Sequence, residues 1–132
     1  MRTAILASLL ALPLFTGCAA VAVGAIGSLM ISNEVTANNV YEARLNVDVS
    51  KVWPTVKTTL SDKSMQVIEV DDNVRLAKAK IDSAWVTVTC EAYDLDKTVM
   101  KVRAAKYAGT INDPEMARMI QEAIMLRLER QK

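Results

Sequence analysis

The chain has 132 residues, with 16 Lys and Arg against 15 Asp and Glu, and a formal net charge of +1. That balance excludes nucleic acid as a partner, since phosphate backbones are held by a surplus of basic side chains. No histidine is present, which removes Ser-His and Cys-His catalysis and the common histidine-based zinc sites, and the length suits one domain rather than two.

The N-terminus has the three parts of an export signal. Arg2 is a minimal basic region, Ala4 to Leu14 is apolar, and Thr16 and Gly17 are small enough for a peptidase cleft. Cys18 follows directly. The stretch Leu14-Phe15-Thr16-Gly17-Cys18 resembles the lipobox of bacterial lipoproteins, with Phe15 where that motif usually carries Leu. The resemblance implies cleavage before Cys18, which becomes the acylated first residue of the mature chain and its anchor to the membrane. Each buried methylene contributes about 0.8 kcal/mol, so one chain binds marginally. The two or three chains of a mature lipoprotein hold firmly. Ala19, in place of an inner-membrane retention Asp, implies the outer membrane with the domain facing the periplasm. In an organism with one membrane it implies the outer face of the cell membrane. The alternative is an uncleaved transmembrane helix. No charged residue lies between Thr3 and Ile31, a run longer than the roughly 20 residues that span a bilayer, although Pro13 and Gly17 interrupt it.

Residues 1–17 are thus expected to be a signal peptide, residues 18–39 a lipidated Ala/Gly-rich tether, and residues 40–132 the folded domain. Within the tether, Ser32 to Asn39 is polar and reads as a linker. Removing Arg2 with the signal balances the side-chain charges of the remainder. With Cys18 spent on lipid, Cys90 has no intramolecular partner. It reads as a small buried hydrophobe.

From Val40 on, Tyr41, Ala43, Leu45 and Val47 alternate with polar residues, the period of a half-buried strand. Ser50 reads as the N-cap of a helix whose Val52, Val56 and Leu60 share a face, with Pro54 in its first turn. The pattern then predicts strands over 65–70 and 74–81, joined by the turn residues Asp71-Asp72-Asn73. After the tight Asp82-Ser83 connection, Ala84 to Tyr93 alternates cleanly: Val86, Val88, Cys90 and Ala92 face one way, Trp85, Thr87, Thr89 and Tyr93 the other. Thr98 to Ala105 returns with Met100, Val102 and Ala104 inward and Lys101 and Arg103 outward. A last helix opens on Asp113 and Pro114 and carries Met116, Met119, Ile120, Ala123, Ile124 and Leu128 at helical spacing. The order β-α-β-β-β-β-α predicts an α+β fold in two layers, an antiparallel sheet of about five strands with two helices on one face.

Taken together, Cys18, the Gly24/Gly27 segment, the strand ending Val102-Arg103, Gly109 and the helix after it resemble a family of small bacterial lipoproteins catalogued as domain of unknown function 3568. The likeness runs from Cys18 to the last helix. The family has no established activity, so the resemblance implies location and architecture and supplies no catalytic residue.

Neither a GxxxxGK[ST] nor a GxGxxG loop occurs, and no cofactor is implied. Glu69, Asp71 and Asp72 form an acidic cluster without the spacing of a calcium loop, and read as a solvated turn. Met116, Met119 and Met125 are soft metal-ligand types that read as packing residues. The chain therefore reads as a non-enzymatic accessory protein of the cell envelope. Its candidate contact surface is the sheet face away from the helices, with Trp85, Tyr93, Lys101 and Arg103, and its partners are the membrane, through Cys18, and an envelope protein.

Overall fold

The computed structural model describes residues 29–131. Cys18, the signal segment and the first half of the tether lie outside the described residues. The chain folds as an antiparallel sheet with two helices against one face, the predicted α+β class in two layers. The elements are β1 (Met30–Val35), β2 (Tyr41–Leu45), α1 (Val49–Lys63), β3 (Glu69–Asp71), β4 (Leu76–Ile81), β5 (Ala84–Asp94), β6 (Lys97–Lys106), β7 (Ile111–Asn112) and α2 (Pro114–Glu129). The strands run β1-β2-β6-β5-β4-β3 across the sheet, and the short β7 pairs with the end of β6.

Among the described residues seven strands replace the expected five, because β1 and β7 were not foreseen. The segment read as a linker, 32–39, contributes most of β1 and its turn, with Asn33 opposite Ala43 and Val35 opposite Tyr41. The turn closes with Asn39 in the left-handed region at φ 55°, a conformation Asn tolerates better than most residues. β1 belongs to the domain because Leu29 is buried in the core and Met30 packs against it. Asn33 also faces α2, where its Oδ1 accepts a hydrogen bond of 3.2 Å from Nε2 of the buried Gln121.

Helix α1 starts earlier than its predicted cap. Asp48 is the N-cap, its carboxylate accepting from the Ser50 N–H at 2.7 Å. Ser50 supplies the donor rather than the acceptor. That bond holds the Asp48 carboxyl below its ordinary range. Pro54 lies in the second turn rather than the first. The helical donor it removes would have met the carbonyl of Ser50, which is exposed to water, so the loss is tolerated. The buried Thr55 and Thr59 satisfy their hydroxyls on Lys51 and Thr55 carbonyls.

The strand predicted over 65–70 shrinks to Glu69–Asp71. Before it, Ser64 Oγ and the Met65 N–H both bond the Lys80 carbonyl, while Met65 and Val67 stand 76% and 97% exposed. A β-rich sequence at the sheet edge has no second neighbour to order it.

The core joins the inner faces of β2, β4, β5 and β6 to both helices through Leu45, Val86, Val88, Met100, Val102, Leu60, Ile120 and Ile124. Two residues depart from their expected burial. Ala92 keeps its facing, opposite the buried Thr98, but is exposed near the end of β5, just before the register shift at Asp94. Met119 is 43% exposed, whereas Met125 and Gln121 are buried. The buried face of α2 is thus rotated from the all-apolar stripe, with Gln121 admitted to it because Asn33 satisfies its amide. α1 and α2 are also joined by the Arg127–Asp62 ion pair at 2.6 Å.

Candidate functional site

The sheet face away from the helices carries no helical layer, and its side chains are set by register. Thr87 of β5 lies opposite Arg103 of β6 and opposite Lys78 of β4. Lys78 in turn lies opposite Glu69 of β3. Arg103, Thr87, Lys78 and Glu69 therefore form one row across four adjacent strands. In the next row Ala105, Trp85 and Lys80 are aligned.

A groove of about 310 Å³ opens over these two rows, with Trp85, Thr87, Lys78, Glu69 and Arg103 around it. Its far wall is Ala105 with Ala108 and Gly109 from the turn before β7. That turn is left-handed over three successive residues, Tyr107 at φ 52°, Ala108 at 56° and Gly109 at 90°. Only glycine adopts this backbone freely, so Tyr107 and Ala108 hold strain. The Gly109 and Thr110 N–H groups close it on the Lys106 and Tyr107 carbonyls. A second hollow of about 240 Å³ adjoins the groove, shares Thr87 and Arg103 with it, and extends to Val40, Thr89 and Lys101.

Trp85 is half-buried, with the Lys78 ammonium 6.0 Å from its ring centroid, a cation–π distance. Arg103 makes one long contact of 3.5 Å to Asn112 Oδ1. Among the described residues neither Lys78 nor Arg103 stands in an ion pair.

Of the four residues predicted for this face, Trp85 and Arg103 meet at the groove and Lys101 lines the adjoining hollow. Tyr93 does not join them. It lies eight residues along β5 from Trp85, roughly 26 Å at the usual strand rise. There it is 43% exposed, with the Arg44 guanidinium 5.9 Å from its ring centroid. The sequence reading missed Lys78 and Glu69 as members of the site. The two-residue Asp82-Ser83 connection carries the missing signal, since pairing Ile81 with Ala84 sets Lys78 opposite Thr87.

Elsewhere, Cys90 is free and buried in the core, and burial pushes its thiol up to about 12. The acidic turn is structural: Asp72 accepts from Trp53 and Lys57. No group of three or more acidic, cysteine or histidine residues suited to a metal ion occurs among the described residues. Among the same residues no helix is long and apolar enough to cross a membrane.

No family model, curated protein or solved structure matches this chain.

Proposed function

We propose that the protein is a lipid-anchored binding domain of the bacterial envelope, held to the outer membrane through Cys18 and offering its uncovered sheet face to a partner. In this reading it is an accessory protein without catalytic activity. The observation that carries it is the groove at Trp85 and Arg103. A tryptophan and two cations that stand in no ion pair among the described residues, gathered on the sheet face without a helical cover, form a surface suited to contact. The lipobox-like Leu14 to Cys18 supports the anchor, and its resemblance to lipoproteins supports the envelope location.

The test is a pull-down from envelope membranes with the full-length acylated chain, comparing wild type with Trp85→Ala and with Tyr93→Ala. Binding through the groove predicts loss of the partner in Trp85→Ala with little change in melting temperature. Loss in Tyr93→Ala as well would extend the surface along β5. Retention of every partner by both variants would overturn the reading.

A further inference from the structure

The groove has a chemical composition that narrows what it takes. Arg103 and Lys78 sit two strands apart, about 9–10 Å between backbones, on either side of Thr87. Both side chains are long enough to converge over the Thr87 hydroxyl, where an anion would meet two positive charges and one hydrogen-bond donor. A bare anion does not account for the rest of the site. The row ends in the exposed carboxylate of Glu69, which repels anions and accepts hydrogen bonds from hydroxyl groups. The neighbouring row adds Trp85 and Ala105, and the turn adds Ala108, surfaces that suit the C–H face of a ring. A purely apolar ligand would leave Arg103, Lys78 and Glu69 unused.

We propose that this groove binds an acidic saccharide. Its carboxylate or other anionic group sits between Arg103 and Lys78, its hydroxyls meet Glu69 and Thr87, and its ring rests against Trp85 and the Ala105–Ala108 wall. The adjoining hollow at Lys101 has room for a further acidic residue of the same glycan. The inference rests on the open face being the contact surface, and it adds the ligand class.

The test uses the full-length chain in detergent, titrated calorimetrically with galacturonic acid, trigalacturonic acid, galactose and acetate. Galacturonic acid is expected to bind, with galactose and acetate each at least about tenfold weaker, since each lacks half of the recognised chemistry. Trigalacturonic acid binding tighter than the monomer identifies a glycan chain as the source. Equal binding identifies a free sugar acid, and either outcome supports the proposal. Arg103→Gln and Lys78→Gln should each weaken galacturonate by about tenfold or more. Both positions are exposed, so their melts should match wild type. If one variant fails to fold, the other carries the test. Equal affinity for galactose and galacturonate, no heat with any acidic sugar, or unaltered binding in both variants would overturn the proposal. In that event a partner still lost in Trp85→Ala would leave the contact-surface reading standing.

Discussion

The Trp53 indole N–H donates to Asp72 Oδ1 at 2.8 Å, tying helix α1 to the turn between β3 and β4. The two residues are 19 positions apart in the chain. Trp53 is buried at 7% exposure and its N–H needs an acceptor. Asp72 supplies one while remaining at the surface, and it also accepts from Lys57 Nζ at 2.9 Å. The Lys57 ammonium in turn lies 5.4 Å from the Trp53 ring centroid. Three side chains thus fasten the edge hairpin to the helical layer.

The first prediction is a pH dependence. The Lys57 contact, and after it the Trp53 hydrogen bond, hold the Asp72 carboxyl below its ordinary value of 3.8. A carboxyl depressed in the folded state binds protons more readily in the unfolded state. Its stabilisation is therefore present above 3.8 and is lost as pH falls through the lower folded value. Asp72→Asn should lower the melting temperature at neutral pH and show a smaller loss on acidification. Thermal melts of the two proteins should converge at the acid end. Parallel curves across the whole range would show that the contact contributes nothing.

The second prediction concerns β1. Gln121 is 1% exposed, and its amide reaches Asn33 at 3.2 Å. Replacing Asn33 with Ala removes that acceptor from a buried amide, at a cost of about 1–3 kcal/mol. Asn33→Ala and Gln121→Leu should be non-additive in denaturant unfolding, the double variant being more stable than the sum of the single losses implies. The expected coupling is on the order of 1 kcal/mol. Strict additivity would make the pair incidental and β1 a loosely held edge.

These two contacts show why some of the fold was legible in the sequence and some was not. β5 and β6 announce themselves because Val86, Val88, Met100 and Val102 alternate with polar residues over long runs. β1 does not, because Asn33, on its helix-facing side, is polar and exposed, and the buried Gln121 it bonds lies 88 positions away. The open face was legible for the same reason as the core, since alternation puts Trp85, Lys101 and Arg103 opposite the buried set. The row that forms the groove needs register as well. Continuing the Asp94–Lys97 pairing without interruption would set Thr87 opposite the buried Ala104. The shift between Ala92 and Asp94 brings Arg103 there instead, as a bulge does by inserting one residue on one strand. The facing pattern already conflicts with the unshifted pairing, so the bulge itself was inferable.

A third prediction follows from Cys90. Its thiol is 1% exposed and pushed up to about 12 by burial, so almost no thiolate exists at neutral pH and little of the sulfur is accessible. A thiol reagent should leave Cys90 unmodified in native buffer and react once denaturant unfolds the chain. The assay uses the Cys18→Ser background so that one thiol is counted. Rapid native labelling would place Cys90 at a functional surface instead of in the core.

The fourth prediction tests the strained turn. At Gly109 the backbone has φ +90°, and an added Cβ would meet nothing within 4 Å. Any cost of Gly109→Ala is therefore conformational and not a clash, about 1–2 kcal/mol. Ala108→Gly, at φ 56°, should act in the opposite direction and stabilise by roughly 0.5–1 kcal/mol, with the entropy of the unfolded glycine limiting the gain. Denaturant midpoints of the two variants should move to opposite sides of wild type. Shifts of the same sign would mean that the turn relaxes away from the left-handed form.

The last prediction concerns the anchor. Core packing within residues 29–131 uses side chains from Leu29 to Leu128, and Cys18 precedes all of them. Cys18→Ser should therefore abolish acylation while the domain melts as wild type does. Metabolic labelling with a clickable fatty acid reads the first effect, and thermal melting of the purified protein reads the second. The label on the wild type separates the lipid anchor from the transmembrane alternative. With a lipid anchor, the wild type carries the label and Cys18→Ser loses it. With an uncleaved helix, the wild type carries no label and the variant stays in the membrane fraction. Label persisting in Cys18→Ser would place the acyl group on another residue and remove the lipobox reading altogether.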